Sequence, residues 1–281
     1  MRSHDLQPLE RPGLASLGDL EAEPTRASLR APEAVSREFD RWAPRFRRPD
    51  YQWPADPLPT WSRVWEYPYV YHRLSTWQTA QPPTARPCAV GVGSGVTFFP
   101  FAVAQPGPEV IATDIDPVAE RDLGRAISCV GVQPGTLSFR LAQAARLPFP
   151  DRGADAVCCI SILEHVADPH QFIEEVYRTL RPRGSFLLTC DLDLRPDGAR
   201  VSAGDRGGLP PWIRDRFASV HGDVEVRACD VLTGANGPYP FRAARRTPAR
   251  LVAHFLKQWV VKPLLGRRPS AWPAPPPNVG V

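Results

Sequence analysis

The chain has 281 residues, 43% of them hydrophobic, and a formal charge of +4, which bounds it to one generous domain with appendages. Nearly all basic side chains are arginine, Lys257 and Lys262 being the lysines, and they form no long stripe before the C-terminal region, so no nucleic-acid partner is expected. No stretch approaches the ~18 apolar residues of a membrane span, and the N-terminus has no apolar signal core. Of the six cysteines, Cys88, Cys158, Cys159 and Cys190 fall inside apolar runs as small core residues. With no CxxC pair or Cys/His cluster to suggest a metal, a reduced, cytoplasmic, bacterial protein is expected.

Residues 1–32 mix Pro, Arg, Glu and Ser without sustained periodicity and read as a disordered leader. In residues 33–85 the composition changes: Trp42, Phe46, Tyr51, Trp53, Trp61, Trp65, Tyr67, Tyr69, Tyr71 and Trp77 crowd among prolines. Two readings stand for this segment. It is a helical layer covering an edge of the main domain, or a lid whose flat apolar faces exclude water from a pocket. The proline-rich stretch 81–87 is a linker.

The core, residues 86–245, opens on Cys-Ala-Val-Gly-Val-Gly-Ser-Gly at 88–95. A short apolar run that breaks into alternating glycines predicts a buried parallel strand ending in a tight loop, where a ligand can approach the backbone closely. A helix is expected over 96–105, provided Pro100 lies in its first turn. A second apolar strand follows and ends in Asp114, nineteen residues past Gly95. This strand, glycine loop, helix, strand, acid layout belongs to nucleoside-binding α/β folds, in which the carboxylate takes ribose hydroxyls. Asp116 and Pro117 cap a helix running to about residue 130, and a short strand is expected over 136–140. A buried strand over 156–160 precedes Asp168-Pro169, which caps a helix over 171–180 whose Phe172, Val176 and Leu180 share one face. Pro182 and Gly184 end it, and a fifth strand is expected over 185–190. Alternating strands and helices specify a doubly wound, mostly parallel sheet.

Beyond residue 190 a helix is expected over 212–220 and a strand over 224–229. Residues 246–265 form a basic amphipathic helix, with Leu251, Val252, Phe255, Trp259 and Val260 on one face and Arg and Lys around it. That stripe is either a terminal helix docked on the sheet or a peripheral membrane contact through 247–268. Residues 266–281 are a Pro-rich disordered tail.

Five ordered segments carry a resemblance: Val-Gly-Val-Gly-Ser-Gly, Thr-Asp-Ile-Asp-Pro, Arg-Leu-Pro-Phe-Pro-Asp, Leu-Glu-His-Val-Ala-Asp-Pro and Leu-Arg-Pro-Arg-Gly. Together they resemble the class I S-adenosylmethionine-dependent methyltransferases, most closely the small-molecule enzymes with a Leu-Pro-Phe segment before the fourth strand. The resemblance covers about residues 86–191. It implies a Rossmann-like fold of the seven-stranded type, S-adenosyl-L-methionine as cofactor, and methyl transfer to an oxygen or nitrogen, less often a carbon, of a small-molecule acceptor that is free or sugar- or lipid-linked. Position by position, it assigns Gly91, Val92, Gly93 and Gly95 to the methionine and ribose part of the cofactor, Asp114 to the ribose hydroxyls and Ile115 to adenine. Gln143, where the family often has Asp, and Ala144 belong to the adenine edge, and Ser161 lies beside the methionine moiety. A glutamine oxygen still accepts the adenine hydrogen bond, without a full charge.

An acceptor of high pKa needs a base, and His165, just after strand four, is the catalytic candidate; its other reading is a histidine packing the following loop. Glu164 points elsewhere if this segment is helical. Asp191 and Asp193 are either a polar or metal-binding pair or solvated loop acids. Arg63 and Tyr67, just ahead of the core, are candidates to meet the methionine carboxylate. Two other classes share parts of the pattern: a nicotinamide-dependent oxidoreductase, whose third glycine would stand where Val96 does, and a non-catalytic cofactor-binding module.

Overall fold

The computed structural model describes residues 8–10, 12–51, 62–82, 86–143, 146–193, 211–218, 226, 230–233 and 279–280. The expected helix and membrane contact at 246–268, the tail apart from 279–280, Trp53, Trp61 and Ala144 lie outside them. The main sheet has five parallel strands: β1 (Cys88–Val92), β2 (Glu109–Asp114), β3 (Thr136–Leu141), β4 (Ala154–Ile160) and β5 (Leu180–Thr189), in the order β3-β2-β1-β4-β5. Antiparallel strands of the seven-stranded pattern are not in this sheet among the described residues. The remaining ladder there is a two-residue one pairing Leu192–Asp193 with Val279–Gly280.

Alternation along the strands feeds two cores. Ala89, Val110, Ala112, Ala156 and Cys158 face one side. Cys88, Val90, Val92, Ile111 and Val157 face the other, where Val176 of a later helix covers them. Because both faces are buried, the strands read as continuous apolar runs. The helices α4 (Phe99–Ala104) and α5 (Pro117–Val130) lie on the first face, and α6 (Pro169–Thr179) on the second. The caps follow the residues that favour them: Asp116 accepts from the Val118 N–H at 2.8 Å and Asp168 from the Gln171 N–H at 3.0 Å. Pro100 sits in the first turn of α4, where a missing N–H costs nothing.

The N-terminal region differs from expectation. α1 (Leu17–Glu21) and α2 (Glu23–Phe46) occupy much of the stretch read as a disordered leader. The stripe that α2 buries, Thr25, Pro32, Val35, Ser36, Phe39 and Phe46, has helical spacing, yet three of its members are polar or proline. An apolar-periodicity reading passes over such a stripe, and Pro32 within it argues locally against a helix. Phe39 packs on Phe46 and on Phe101 of α4 at ring separations of 4.8 and 5.4 Å. α3 (Arg63–Thr79) follows, with Tyr67 stacked on Phe99 at 4.6 Å and edge-on to Phe98 at 5.3 Å. The aromatic segment is thus a helical layer sharing one hydrophobic core with the sheet.

A smaller correction concerns β5. The strand begins at Leu180, before Pro182 and Gly184, because Leu180 pairs with Ala154 while Ser185 pairs with Ala156. Residues 181–184 form a bulge between them, with Arg183 at φ 68°.

Candidate functional site

In the order β3-β2-β1-β4-β5 the winding reverses between β1 and β4, and a crevice opens there at the carboxyl ends of the strands. A cavity of about 680 Å³ occupies this place. Gly91, Val92, Gly93 and Gly95 line it from the end of β1, Asp114 and Ile115 from β2, and Gln143 from the loop after β3. Ser161 and His165 line it from the segment after β4, and Arg63 and Tyr67 from α3. Of the candidate cofactor-binding and catalytic residues, Ala144 alone is outside the described residues.

The glycine loop has one backbone path. Gly93 and Gly95 have φ of 65° and 53°, and a Cβ on Gly93 would sit 2.2 Å from Ile162 Cδ1. The Gly95 N–H donates to Asp114 Oδ2 at 2.9 Å and the Asp116 N–H to Oδ1 at 3.0 Å, so Asp114 ties the two loops together. Burial pushes the Asp114 carboxyl above its ordinary value, although the N–H groups of Asp116, Gly95 and Ile115 oppose the rise. Ile115 beside it is 63% exposed, an apolar side chain facing open space at the cavity wall. Thr113 Oγ1, also on the lining, is buried without a hydrogen-bond partner among the described residues. Tyr51 covers the loop from the N-terminal layer, its hydroxyl accepting from the Val96 N–H at 2.9 Å. Gly93→Ala should therefore weaken ligand binding in this cavity and destabilise the fold by about 1–2 kcal/mol through the positive φ and the Ile162 contact. Thermal unfolding beside ligand titration checks both effects.

Behind Arg63 and Ser161 of the cavity lining lies a buried polar cluster whose centre, Glu66, sequence reasoning missed. Glu66 is fully buried and accepts hydrogen bonds from the hydroxyls of Ser62 at 2.6 Å, Ser161 at 2.7 Å and Thr189 at 2.7 Å. Arg63 pairs with it from one turn earlier in α3 and also donates to Ser161 Oγ at 2.6 Å. Burial alone would raise the Glu66 carboxyl, but the Arg63 charge and the three hydroxyls outweigh it and hold the group ionised, below the usual glutamate range. Ser161 itself is at φ 49°, a conformation a serine keeps only where its surroundings hold it. No sequence signal short of the aromatic crowding around Glu66 marks it as buried.

His165 ends a 3₁₀ turn (Leu163–His165) and lines the cavity. Glu164 turns away from it, as expected, into the protein. Its Oε1 accepts from the Asp191 N–H at 3.3 Å, and burial, then the Asp191 charge, push its carboxyl up to about 8. Asp191 is thus half-buried against Glu164 and off the cavity lining. Among the described residues no group of three or more His, Cys, Asp or Glu side chains is arranged to hold a metal. Nor is any helix among them long and apolar enough to cross a membrane.

A parallel α/β sheet with a glycine loop after its first strand and a carboxylate at the tip of its second defines a nucleoside-cofactor fold. Residues 88–188 match the methyltransferase domain family. An uncharacterized methyltransferase of Mycobacterium sp. strain JLS is 31% identical over 152 residues, 52% of this chain and 56% of that one. A probable S-adenosylmethionine-dependent methyltransferase of Mycolicibacterium smegmatis is 29% identical over 120 residues, 43% of this chain and 42% of that one. The chain spans about half the length of the curated relatives it matches. Among solved structures, the YcgJ protein of Bacillus subtilis superposes with a TM-score of 0.38 at 24% identity, over 43% of this chain and 51% of that one.

Proposed function

We propose that the protein is an S-adenosylmethionine-dependent methyltransferase acting on an oxygen or nitrogen of a small-molecule acceptor. The observation that carries this reading is Asp114, a half-exposed carboxylate at the tip of β2, anchored by the N–H groups of Gly95 and Asp116 on the wall of the switch-point cavity. The residues present fit an adenosyl group. Asp114 offers acceptor lone pairs to ribose hydroxyls, exposed Ile115 an apolar face to adenine, Gln143 an amide at the base edge, and the loop at Gly93 a cradle a Cβ would fill. When bound, the cofactor supplies an activated methyl on a good leaving group.

What remains for the protein is to align and to dry the reaction, and to take a proton where the acceptor carries one. Gly91, Val92 and Ser161 line the part of the cavity assigned to the methionine moiety. Tyr51 and Tyr67 exclude water from the N-terminal side, and Arg63 is the cation suited to a carboxylate there. His165 lies on the cavity wall and is the candidate base. The acceptor's finer class, whether free, sugar-linked or lipid-linked through the basic segment 247–268, rests on sequence pattern only.

Calorimetric titration with S-adenosylmethionine should give one site per chain in the micromolar range typical of enzyme ligands, and titration with NAD should give no heat of binding. The intact carboxylate and glycine loop favour an active site over a vestigial one. Binding of NAD in place of S-adenosylmethionine would return the protein to the oxidoreductases.

A further inference from the structure

The methionine end of S-adenosylmethionine carries a carboxylate, an ammonium and a sulfonium, a net charge of +1. A wall that presents a lone arginine there attracts the first and repels the other two. The cofactor reading puts Arg63 and Ser161 of the cavity lining at that end, and directly behind them stands Glu66, fully buried and bonded to both. The carboxylate is held by four donors from three elements: Ser62 and Arg63 at the start of α3, Ser161 after β4 and Thr189 at the end of β5. Ser161's hydroxyl hydrogen goes to Glu66 and its oxygen accepts from Arg63, so the three groups form one hydrogen-bonded unit. A buried carboxylate of this kind is costly to desolvate, and folding alone does not call for one here, since an apolar residue of similar size would pack the same space more cheaply.

We propose that Glu66 is a positioning and specificity-determining residue that neutralises Arg63 at the cavity wall, so that the site prefers the sulfonium cofactor over its product, S-adenosylhomocysteine, a zwitterion of zero net charge. This rests on the cofactor reading above. Methyl transfer removes the sulfonium charge, so the electrostatics of this wall bear on the cofactor and the product unequally. Every other contact of the adenosyl and amino-acid parts is common to the two ligands.

The test measures dissociation constants for both ligands by calorimetry, without any acceptor or turnover. Glu66→Gln adds one positive charge to the wall and should lower the preference for S-adenosylmethionine over S-adenosylhomocysteine by about tenfold. Arg63→Gln changes the charge in the opposite sense and should raise that preference. The double variant Arg63→Met/Glu66→Gln restores neutrality and should return the ratio to the wild-type value, even where both affinities are reduced. A purely structural Glu66 would weaken the two ligands by the same factor in every variant, and equal ratios throughout overturn the proposal. Where Glu66→Gln fails to fold, the sign of the Arg63→Gln shift decides alone: an unchanged or lowered preference overturns it. Asp114→Asn serves as the separate control. If that variant binds both ligands as tightly as the wild type, the cofactor reading itself fails; if it loses both while the Glu66 ratio stays constant, only this inference does.

Discussion

Asp114→Ala should weaken S-adenosylmethionine binding by at least about 100-fold while leaving the protein folded. Each hydrogen bond to a charged acceptor is worth about 1.5–3 kcal/mol, and a ribose presents two hydroxyls to one carboxylate. At 1.4 kcal/mol per decade, two such bonds amount to roughly two decades or more. The substitution also releases the Gly95 and Asp116 N–H groups, loosening the two loops that shape the cavity. It removes a desolvated charge as well, so the fold itself loses little, because burial already raises the Asp114 carboxyl. That raised carboxyl has a consequence for the unmutated protein. As pH falls, Asp114 takes up a proton earlier than an ordinary aspartate, and cofactor affinity should decline with it. Calorimetry on the variant checks the first expectation and a pH series on the wild type the second; undiminished affinity of Asp114→Ala would remove the cofactor assignment.

How much of this site is legible in the sequence depends on how local each determinant is. The β1 glycine loop, the acid at the tip of β2 and the caps at Asp116 and Asp168 are set by residues within a few positions of one another. Composition and spacing therefore carry them. The N-terminal layer is different. The inner stripe of α2 includes Thr25, Pro32 and Ser36, which fill helical positions that an apolar pattern would leave blank. Thr25 is buried there because its hydroxyl donates to the Asp19 carbonyl at 2.6 Å, a satisfaction visible only once the preceding helix is in place. Glu66 is harder still. Two of its partners, Ser161 and Thr189, lie 95 and 123 residues further along the chain. A glutamate among tyrosines and tryptophans reads as the solvated side of a helix until the strand tips arrive beneath it.

Glu164 sits between β4 and β5 with Cys159, Cys190 and Asp191 around it and Glu66 further off. Burial first, and the Asp191 charge second, push its carboxyl up to about 8, so at neutral pH the folded protein keeps a proton there. In the unfolded chain the same group releases its proton near about pH 4.3. The folded state therefore binds more protons than the unfolded one across the interval between those values. Stability from this group is fully present below the unfolded pKa and is lost progressively as pH rises through the folded one. Glu164→Gln keeps the shape and hydrogen-bonding reach of the protonated acid and cannot ionise, so its stability should not follow that slope. Relative to wild type, the variant should be nearly neutral at about pH 5 and more stable by on the order of a few kcal/mol at about pH 8.5, a rise of several degrees in melting temperature for a domain of this size. Thermal unfolding of both proteins across that range decides it: a difference in melting temperature that stays constant with pH would mean that Glu164 is already ionised in the fold, held by partners strong enough to offset its burial.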